Sequence, residues 1–259
     1  MSFSGLPVVN VLGIDVACLE RDEILEIVQE WCGTNGQAAA AGRANHTVMY
    51  VNAHCMNVAS QDAGYHHLLN GADLVYPDGI SVVWAGRLLD GRRLHKITGA
   101  DWIDHFCAGA VSRALKVYIL AGKPGIAGTA RANLCQKWPG LQVVGTCDGF
   151  FVEKSEAEVL GELRRCGAQV VFIGMGVPRQ EKWIAAHRAE IPAPVCWGVG
   201  ALFDYVAGVE PRVPGWMNAL ALEWLWRLII DPAGKWQRYV LGNPAFVYRI
   251  LRQRLLRLN

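Results

Sequence analysis

The sequence lacks the short motifs by which many enzymes bind metals or carry out nucleophilic catalysis. It contains no H-E-x-x-H pair, no Asp-x-Asp carboxylate pair and no G-x-S-x-G, and its seven histidines and eight cysteines are dispersed without a C-x-x-C. These absences argue against a metal site and against a serine-hydrolase triad. Cysteines without regular spacing are typical of buried, reduced thiols in a cytosolic protein.

Long uncharged apolar runs are also missing. The most apolar segment, WMNALALEWLWRLII, is interrupted by Glu223 and Arg227, and the first residues carry none of the positive charges of a secretory signal. We therefore expect a chain that does not cross a membrane and that works on the cytoplasmic side.

Charge is scarce and unevenly distributed. Charged residues make up 19% and hydrophobic residues 52% of the chain, and the net charge of +2 gives no indication of a nucleic-acid partner. From residue 212 to residue 259 there are eight basic and two acidic residues, a net charge of +6, so the rest of the chain carries −4. This difference separates a basic tail from the body of the protein.

Aromatic residues alternate with the arginines of this tail. Such a composition suits the plane of an anionic membrane, and packing of the tail onto the body or onto a second subunit is the alternative. Nucleic acid is a weaker third possibility, because the body is acidic and no recognised binding motif is present. The aromatic residues that alternate with the arginines include Trp224, Trp226, Trp236, Tyr239 and Tyr248, and Val247, Leu251, Leu255 and Leu258 recur at helical spacing.

Short apolar runs rich in β-branched residues alternate with amphipathic helical patterns along the chain. Runs such as TVMYVN, DLVYP, KVYILAG and QVVFIGMG predict strands, whereas ERDEILEIVQEWC and SEAEVLGELRRC predict helices. The alternation predicts an α/β fold with a mainly parallel sheet that is covered by helices on both faces.

Polar or glycine-rich sequence follows four of the predicted strands, at 52–54, 77–79, 122–128 and 174–181. In parallel sheets ligands bind beyond the carboxyl ends of the strands, so we expect these loops to share one edge. A Pro-Asp-Gly sequence is also a good turn, in which Asp78 would only cap the bend. Its position among the four loops instead predicts that Asp78 lies in the ligand crevice.

Two of these loops contain glycines between a strand and a helix. In YILAGKPGIAGTA, Gly122 either exposes backbone donors to a phosphate or allows close packing of strand and helix, and both interpretations stay open. In FIGMGVPRQEKW, Gly176 and Pro178 precede the start of a helix. Gln180 and Glu181 at this helix start could bind the hydroxyls of a ribose or the edge of a base. The alternative is that they only interact favourably with the helix dipole. Arg179 occupies the position of the third glycine of a dinucleotide fingerprint, so a nicotinamide site is weakly supported.

The sequence HKITGADW predicts the start of another helix. Thr98 is the expected N-cap, and Asp101 follows three residues later in a variant of the capping box. The functional alternative is that this helix start, including Gly99, faces the same crevice.

Taken together, these segments resemble the TagA/WecG/CpsF group of bacterial glycosyltransferases, glycosyltransferase family 26. The resemblance covers nearly the whole chain through VNAHCMNVA, ADLVYPDGISVVW, ITGADW, GMGVPRQEKW, VGALFDYVAG and LEWLWRLIIDP followed by RY. It implies a Rossmann-like body that transfers a sugar, with inversion and without a metal or other cofactor, from a UDP-sugar to a polyprenyl-diphosphate-linked acceptor. The role of a xanthan-type exopolysaccharide glucosyltransferase is the most similar.

The resemblance also implies roles for particular residues. Asp78 matches the general base of the family, and Arg227 and Arg238 match tail arginines that close over the active site. The expected substrate-binding residues are Asn52, Gly79, Thr98, Gly99, Asp101, Gly122, Gly176, Pro178, Gln180, Glu181 and Asp204.

We expect a catalytic body at residues 1–208 and a basic, aromatic-rich helical appendage at 209–259. The predicted protein is peripheral on the inner face of the plasma membrane, and its apolar tail favours self-association into a homo-oligomer. The alternatives are a nucleotide-dependent oxidoreductase and a membrane-surface adaptor without catalytic activity.

Overall fold

The computed structural model describes residues 5–33, 45–211 and 213–258. In these residues, six strands form one parallel sheet in the order β4-β3-β8-β7-β5-β6. The strands are β3 (His46–Val51), β4 (Leu74–Pro77), β5 (Lys116–Ala121), β6 (Gln142–Cys147), β7 (Val170–Gly174) and β8 (Val195–Gly198). The predicted α/β class with a parallel sheet is confirmed.

The first apolar run of the chain forms a separate hairpin. Strands β1 (Val8–Val11) and β2 (Ile14–Ala17) pair in antiparallel register, with Val11 opposite Ile14. The two-residue turn between them has positive φ at both positions, 52° at Leu12 and 84° at Gly13. Positive φ at both central residues matches the twist of a tight hairpin.

Helices cover both faces of the sheet and alternate with its strands. In chain order they are α1 (Arg21–Gly33), α2 (Ala53–Ala59), α3 (Ala63–Asn70), α4 (Ile80–Asp90), α5 (Gly99–Ser112), α6 (Ile126–Lys137), α7 (Glu156–Cys166), α8 (Arg179–His187), α9 (Leu202–Val206), α10 (Gly215–Ala219), α11 (Glu223–Ile230), α12 (Pro232–Trp236) and α13 (Gly242–Leu258). A π-helical segment, Gln237–Leu241, joins α12 to α13.

Alternate strand residues supply two hydrophobic cores, one on each face of the sheet. In β7, Val170 and Phe172 pack in the core that contains α1, α5 and α6, whereas Val171 and Ile173 pack in the core that contains α2, α3, α7 and α8. Side chains of a strand point alternately to its two faces, so a strand that is buried on both sides must be apolar throughout. This requirement explains the continuous apolar runs in the sequence.

The tail packs against the body through helix α13. Phe246 and Ile250 are buried in the core that also contains the hairpin, α2 and α4. At the start of the helix, Asn57 Nδ2 donates to Gly242 O at 2.7 Å, and Arg249 Nη1 donates to Asn57 Oδ1 at 2.6 Å. The tail therefore shares a hydrophobic core with the body. The division of the chain at residue 208 stays a prediction.

Three residues that contribute to the charge or helical pattern of the tail lie outside the described part, namely Arg212 and the side chains of Arg257 and Leu258. Within the described residues, helices are all too short or too polar to span a bilayer.

Candidate active site

The turn after β4 places Asp78 at the carboxyl edge of the sheet. Strand β3 ends beside it, and Asp78 N donates to Val51 O at 2.9 Å. Asn52, the next residue, caps α2 because its Oδ1 accepts from His54 N at 3.0 Å and from Cys55 N at 3.2 Å. Its remaining amide group, Nδ2, donates to Asp78 Oδ2 at 3.3 Å. Asn52 therefore holds one oxygen of the Asp78 carboxylate and leaves Oδ1 for other partners.

Asp78 is enclosed by protein, although part of its surface opens onto two cavities. Burial raises the pKa of the carboxyl group, and the negative charge of Glu223 raises it further. Arg227, the Asn52 amide and Arg238 act in the opposite direction. A carboxylate with a raised pKa is a better proton acceptor than an exposed one, which is the property that a general base requires.

The tail brings a second carboxylate and its cations to the same place. Glu223 Oε1 accepts from Arg227 Nη2 at 2.7 Å and from Arg227 Nε at 3.1 Å, and Lys96 Nζ lies 3.4 Å from Glu223 Oε2. The guanidinium of Arg227 also lies over the ring of Tyr205, 5.2 Å from its centroid. Although burial of Glu223 opposes its ionisation, Arg227 and Lys96 lower its pKa, so the carboxylate remains charged.

Two donors in the tail are buried and unused. Arg238 Nε and Trp226 Nε1 have no hydrogen-bond partner among the described residues. Arg238 lies in the π-helical segment, a local irregularity that is often found at functional sites. Buried donors are normally paired, so both groups are available to a ligand that brings acceptor oxygens.

Two cavities meet at Asp78. The larger, about 450 Å³ in volume and here called the polar cavity, lies between the carboxyl edge of the sheet and the tail. The smaller, about 220 Å³ and here called the apolar cavity, lies between helices α4, α11 and α13 and has mostly apolar walls. Both are bordered by Asn52, His54, Asp78, Glu223, Arg227 and Arg238.

The structure brings most of the sequence-predicted residues to these cavities. Asn52, Asp78, Arg227 and Arg238 border both. Gly79 borders the apolar cavity, and Thr98, Gly99, Asp101 and Gly176 border the polar cavity.

The predicted capping box at the start of α5 is confirmed. Thr98 Oγ1 donates to Asp101 Oδ2 at 2.6 Å, and Thr98 N donates to the same oxygen at 3.3 Å. This local role and a place on the wall of the polar cavity are compatible.

Gln180 and Glu181 begin α8 as expected, but both are buried and neither borders the polar or the apolar cavity. Gln180 Oε1 accepts from Gly200 N at 2.9 Å, so the side chain holds a loop that lines the polar cavity. Gln180 Nε2 donates to Glu181 Oε1 at 2.9 Å. Burial raises the pKa of Glu181 to about 7, and its Oε2 has no hydrogen-bond partner in the described part of the chain. A direct contact of either residue with a nucleotide stays a prediction.

Gly122, Pro178 and Asp204 also lie outside the linings of the two cavities. Gly122 N donates to Gly174 O at 3.0 Å, and a Cβ at Gly122 would collide with Ile126, so close packing accounts for this glycine. Pro178 caps the start of α8, and Asp204, in α9, is half-buried with a pKa that burial raises. Their roles in substrate binding also stay predictions.

Sequence reasoning missed several residues that border the site. The spacing of Glu223 and Arg227, four residues apart on a helix, was the available signal for their ion pair. No local pattern points to Lys96, which reaches the site from the segment before α5. The predicted loop at 52–54 contains His54 but gave it no role, and burial lowers the pKa of His54 to about 4. Tyr50 borders the polar cavity, and its hydroxyl packs against Gly200, where a Cβ would collide with it.

Comparison with known proteins identifies the family of the chain. A relative from Bacillus subtilis (strain 168), N-acetylglucosaminyldiphosphoundecaprenol N-acetyl-beta-D-mannosaminyltransferase, is 29% identical over 203 residues, which cover 78% of each chain. The sequence model of the Glycosyl transferase WecG/TagA/CpsF family matches residues 9–259 and thus includes both the sheet edge that carries Asp78 and the tail that carries Arg227 and Arg238. The chain belongs to the WecG/TagA/CpsF family of glycosyl transferases.

Proposed function

We propose that this protein is an inverting, metal-independent glycosyltransferase that moves a sugar of the glucose or N-acetylmannosamine type from a UDP-sugar to a polyprenyl-diphosphate-linked saccharide. The observation that carries the proposal is the position of Asp78, whose carboxylate borders two cavities and faces cations of the tail. A transferase needs two substrates to meet at one proton acceptor. Family membership favours this activity over an oxidoreductase or an adaptor without catalytic activity.

Asp78 is the proposed general base. The acceptor hydroxyl attacks the anomeric carbon from the side opposite UDP, its proton passes to a carboxylate oxygen of Asp78, and the bond between that carbon and the UDP oxygen breaks. UDP leaves with the bonding electron pair. Asn52 fixes Asp78 Oδ2, so Oδ1 is the oxygen that can accept the proton.

Cations of the tail stabilise the leaving group in this scheme. Arg238 and Lys235 border the polar cavity, and Arg227 borders it while it is paired with Glu223. Arginine forms paired hydrogen bonds with phosphate oxygens, and charged donors that are already in position lower the barrier to departure of an anion. The unused Arg238 Nε supports binding of the donor diphosphate at this end of the polar cavity.

The acceptor class is inferred from chemistry and from the relative. The B. subtilis enzyme is named for an acceptor in which N-acetylglucosamine is joined to undecaprenol through a diphosphate. Val247, Leu251 and Leu255 are exposed along α13, next to the basic residues of the tail. Such a face suits peripheral contact with an anionic membrane surface, where a lipid-linked acceptor resides. Self-association of the protein would cover the same face in the absence of lipid.

The test is the Asp78→Asn variant, assayed by UDP release with a panel of UDP-sugars and a short lipid-diphosphate N-acetylglucosamine acceptor. Asparagine keeps the size of the side chain and can still accept from Asn52, so we expect a folded protein with UDP affinity near that of the wild type. Because a general base contributes a factor of about 10² to 10⁴, kcat should fall by that amount.

Asp22→Asn is the matched control, because Asp22 is an exposed carboxylate at the start of α1. It should transfer sugar at the wild-type rate. Near-normal turnover of Asp78→Asn would refute the assigned base. Tight binding of NAD(P)H without any response to UDP would refute the transferase and favour the oxidoreductase.

A further inference from the structure

The apolar cavity differs in chemistry from the polar cavity beside it. Its walls are formed largely by Ile80 and Trp84 of α4, Trp224 of α11, and Phe246 and Val247 of α13. A nucleotide has few apolar groups with which to fill such walls. A hydrocarbon chain fits them, because burial of apolar surface is favourable in proportion to its area.

The inner end of the apolar cavity is charged. Lys96, Arg227 and Arg238 border it together with Asp78. Cations at one end and hydrocarbon-like walls along the sides match a molecule with an anionic head and an apolar tail.

The outer end of the apolar cavity opens onto exposed apolar surface. Trp84 is 61% exposed and Val247 is 53% exposed, although both line the cavity. One turn further along each helix, Leu88 and Leu251 are also exposed. Helices α4 and α13 are in contact here, since Arg254 Nη1 donates to Leu89 O at 3.4 Å. The cavity is thus continuous with an apolar band that crosses from the body to the tail.

We propose that the apolar cavity binds the first isoprene units of the lipid-linked acceptor, with its diphosphate at Lys96 and its chain leaving between Trp84 and Val247. This assignment rests on the proposed function and adds to it a subsite for one substrate. The polar cavity then takes the UDP-sugar, and Asp78 lies where the two substrates meet. It follows that α4, a helix of the body, belongs to the lipid-contacting surface together with the tail.

The first test compares Trp84→Ala with Trp216→Ala in detergent solution. The two tryptophans are equally exposed, at 61% and 63%, but Trp216 borders neither cavity. For an acceptor with several isoprene units, Trp84→Ala should raise the KM for the acceptor about tenfold without changing the KM for the donor, as expected when a large apolar contact is lost.

For an acceptor with a short alkyl chain, Trp84→Ala and the wild type should have the same KM. Trp216→Ala should match the wild type with both acceptors. Equal acceptor KM values for Trp84→Ala and Trp216→Ala with the isoprenoid acceptor would overturn the assignment of the cavity and leave the transferase activity standing.

The second test does not depend on transfer. A benzophenone-bearing analogue of farnesyl diphosphate is photolysed with the full-length wild-type protein, and the labelled peptides are identified by mass spectrometry. We expect labels within residues 80–84 and 243–247, reduced by excess farnesyl diphosphate and unaffected by UDP. Labels within 98–101 or 199–205 would overturn the proposal, because these segments line the polar cavity. Labelling at the expected segments with no transfer to any acceptor would support the prenyl site and refute the proposed function.

Discussion

Asn52 performs two separable tasks, and two substitutions distinguish them. Its Oδ1 caps α2 by accepting from two backbone N–H groups, and its Nδ2 donates to Asp78. Serine is as good an N-cap as asparagine but is too short to reach Asp78, whereas alanine can do neither. Asn52→Ser should therefore change only the chemistry, and Asn52→Ala should change chemistry and stability.

The sizes of both effects follow from the geometry. Loss of an N-cap costs about 1 kcal/mol, which lowers Tm by about 2–4 °C for a domain of this size. A hydrogen bond to a charged group contributes about 1.5–3 kcal/mol, and the bond between Asn52 and Asp78 is long at 3.3 Å, so we take the lower value. Since 1.36 kcal/mol corresponds to one pKa unit, the pKa of Asp78 should rise by about one unit in both variants.

The assay is the pH dependence of kcat/KM, measured by UDP release, together with thermal unfolding. A general base acts in its ionised form, so a raised pKa moves the acid limb of the profile to higher pH. We expect that limb to move up by about one unit in Asn52→Ser and Asn52→Ala, and Tm to fall only in Asn52→Ala. An acid limb that stays in place in both variants, or moves to lower pH, would refute the role of Asn52 in holding an Asp78 base.

Three further predictions concern the charged groups of the site and the core. Glu223→Gln removes a negative charge that raises the pKa of Asp78, so the acid limb should move to lower pH, opposite to the Asn52 variants; an unchanged limb in the same assay would contradict this coupling. Arg238→Gln should lower kcat by about 10²- to 10³-fold with a small effect on folding, because a donor to the leaving group is lost, and single-turnover kinetics would measure it. Glu181 has a raised pKa of about 7, so its contribution to stability is fully present below its ordinary pKa and is lost as pH rises to about 7. His54, whose pKa is lowered to about 4, gains stability over the same pH range, so the Glu181 effect is measured as the difference between wild type and Glu181→Gln. In urea unfolding, the variant should lack a loss on the order of 3 kcal/mol that the wild type carries between pH 4.5 and pH 7.

Much of the fold was predictable because the sheet is buried on both faces. Strands β3 to β8 are short continuous apolar runs, and the helices between them have amphipathic spacing, so pattern and structure agree. The hairpin was not predicted as a separate element. The first position of such a turn is normally marked by glycine or asparagine, because φ is positive there. Here Leu12 occupies that position with a φ of 52°, so the usual signal for a tight hairpin is absent.

The contact between Asn52 and Asp78 was predictable in outline. The two residues follow strands β3 and β4, and the carboxyl ends of neighbouring parallel strands meet at one edge. The capping box of Thr98 and Asp101 was predictable because it depends on local spacing alone. Both features can be predicted because they depend only on the order of the strands or on a few consecutive residues.

The rest of the site depends on how distant segments pack, which local patterns do not encode. From the sequence, Gln180 and Glu181 resemble exposed residues at the start of a helix. In the structure, both lie on the face of α8 that is buried in the protein interior. The position of Arg238 depends on a π-helical segment, and Lys96 reaches Glu223 only because α11 lies over the body. Sequence spacing could therefore locate Asp78, whereas Arg227 and Arg238 were expected only from the family resemblance and Lys96 was not expected at all.

The site combines a carboxylate from the sheet with cations from the tail, and this division explains why tail and body share a hydrophobic core. Asp78 is fixed by β3 and β4, whereas Arg227 and Arg238 depend on the docking of α13 through Phe246 and Ile250. The predicted boundary at residue 208 would thus cut through the proposed active site. In the proposed function the exposed face of α13 contacts a membrane, while its buried residues Phe246 and Ile250 hold the helix on the body. Binding to a lipid surface and assembly of the proposed catalytic site would then depend on two faces of the same helix.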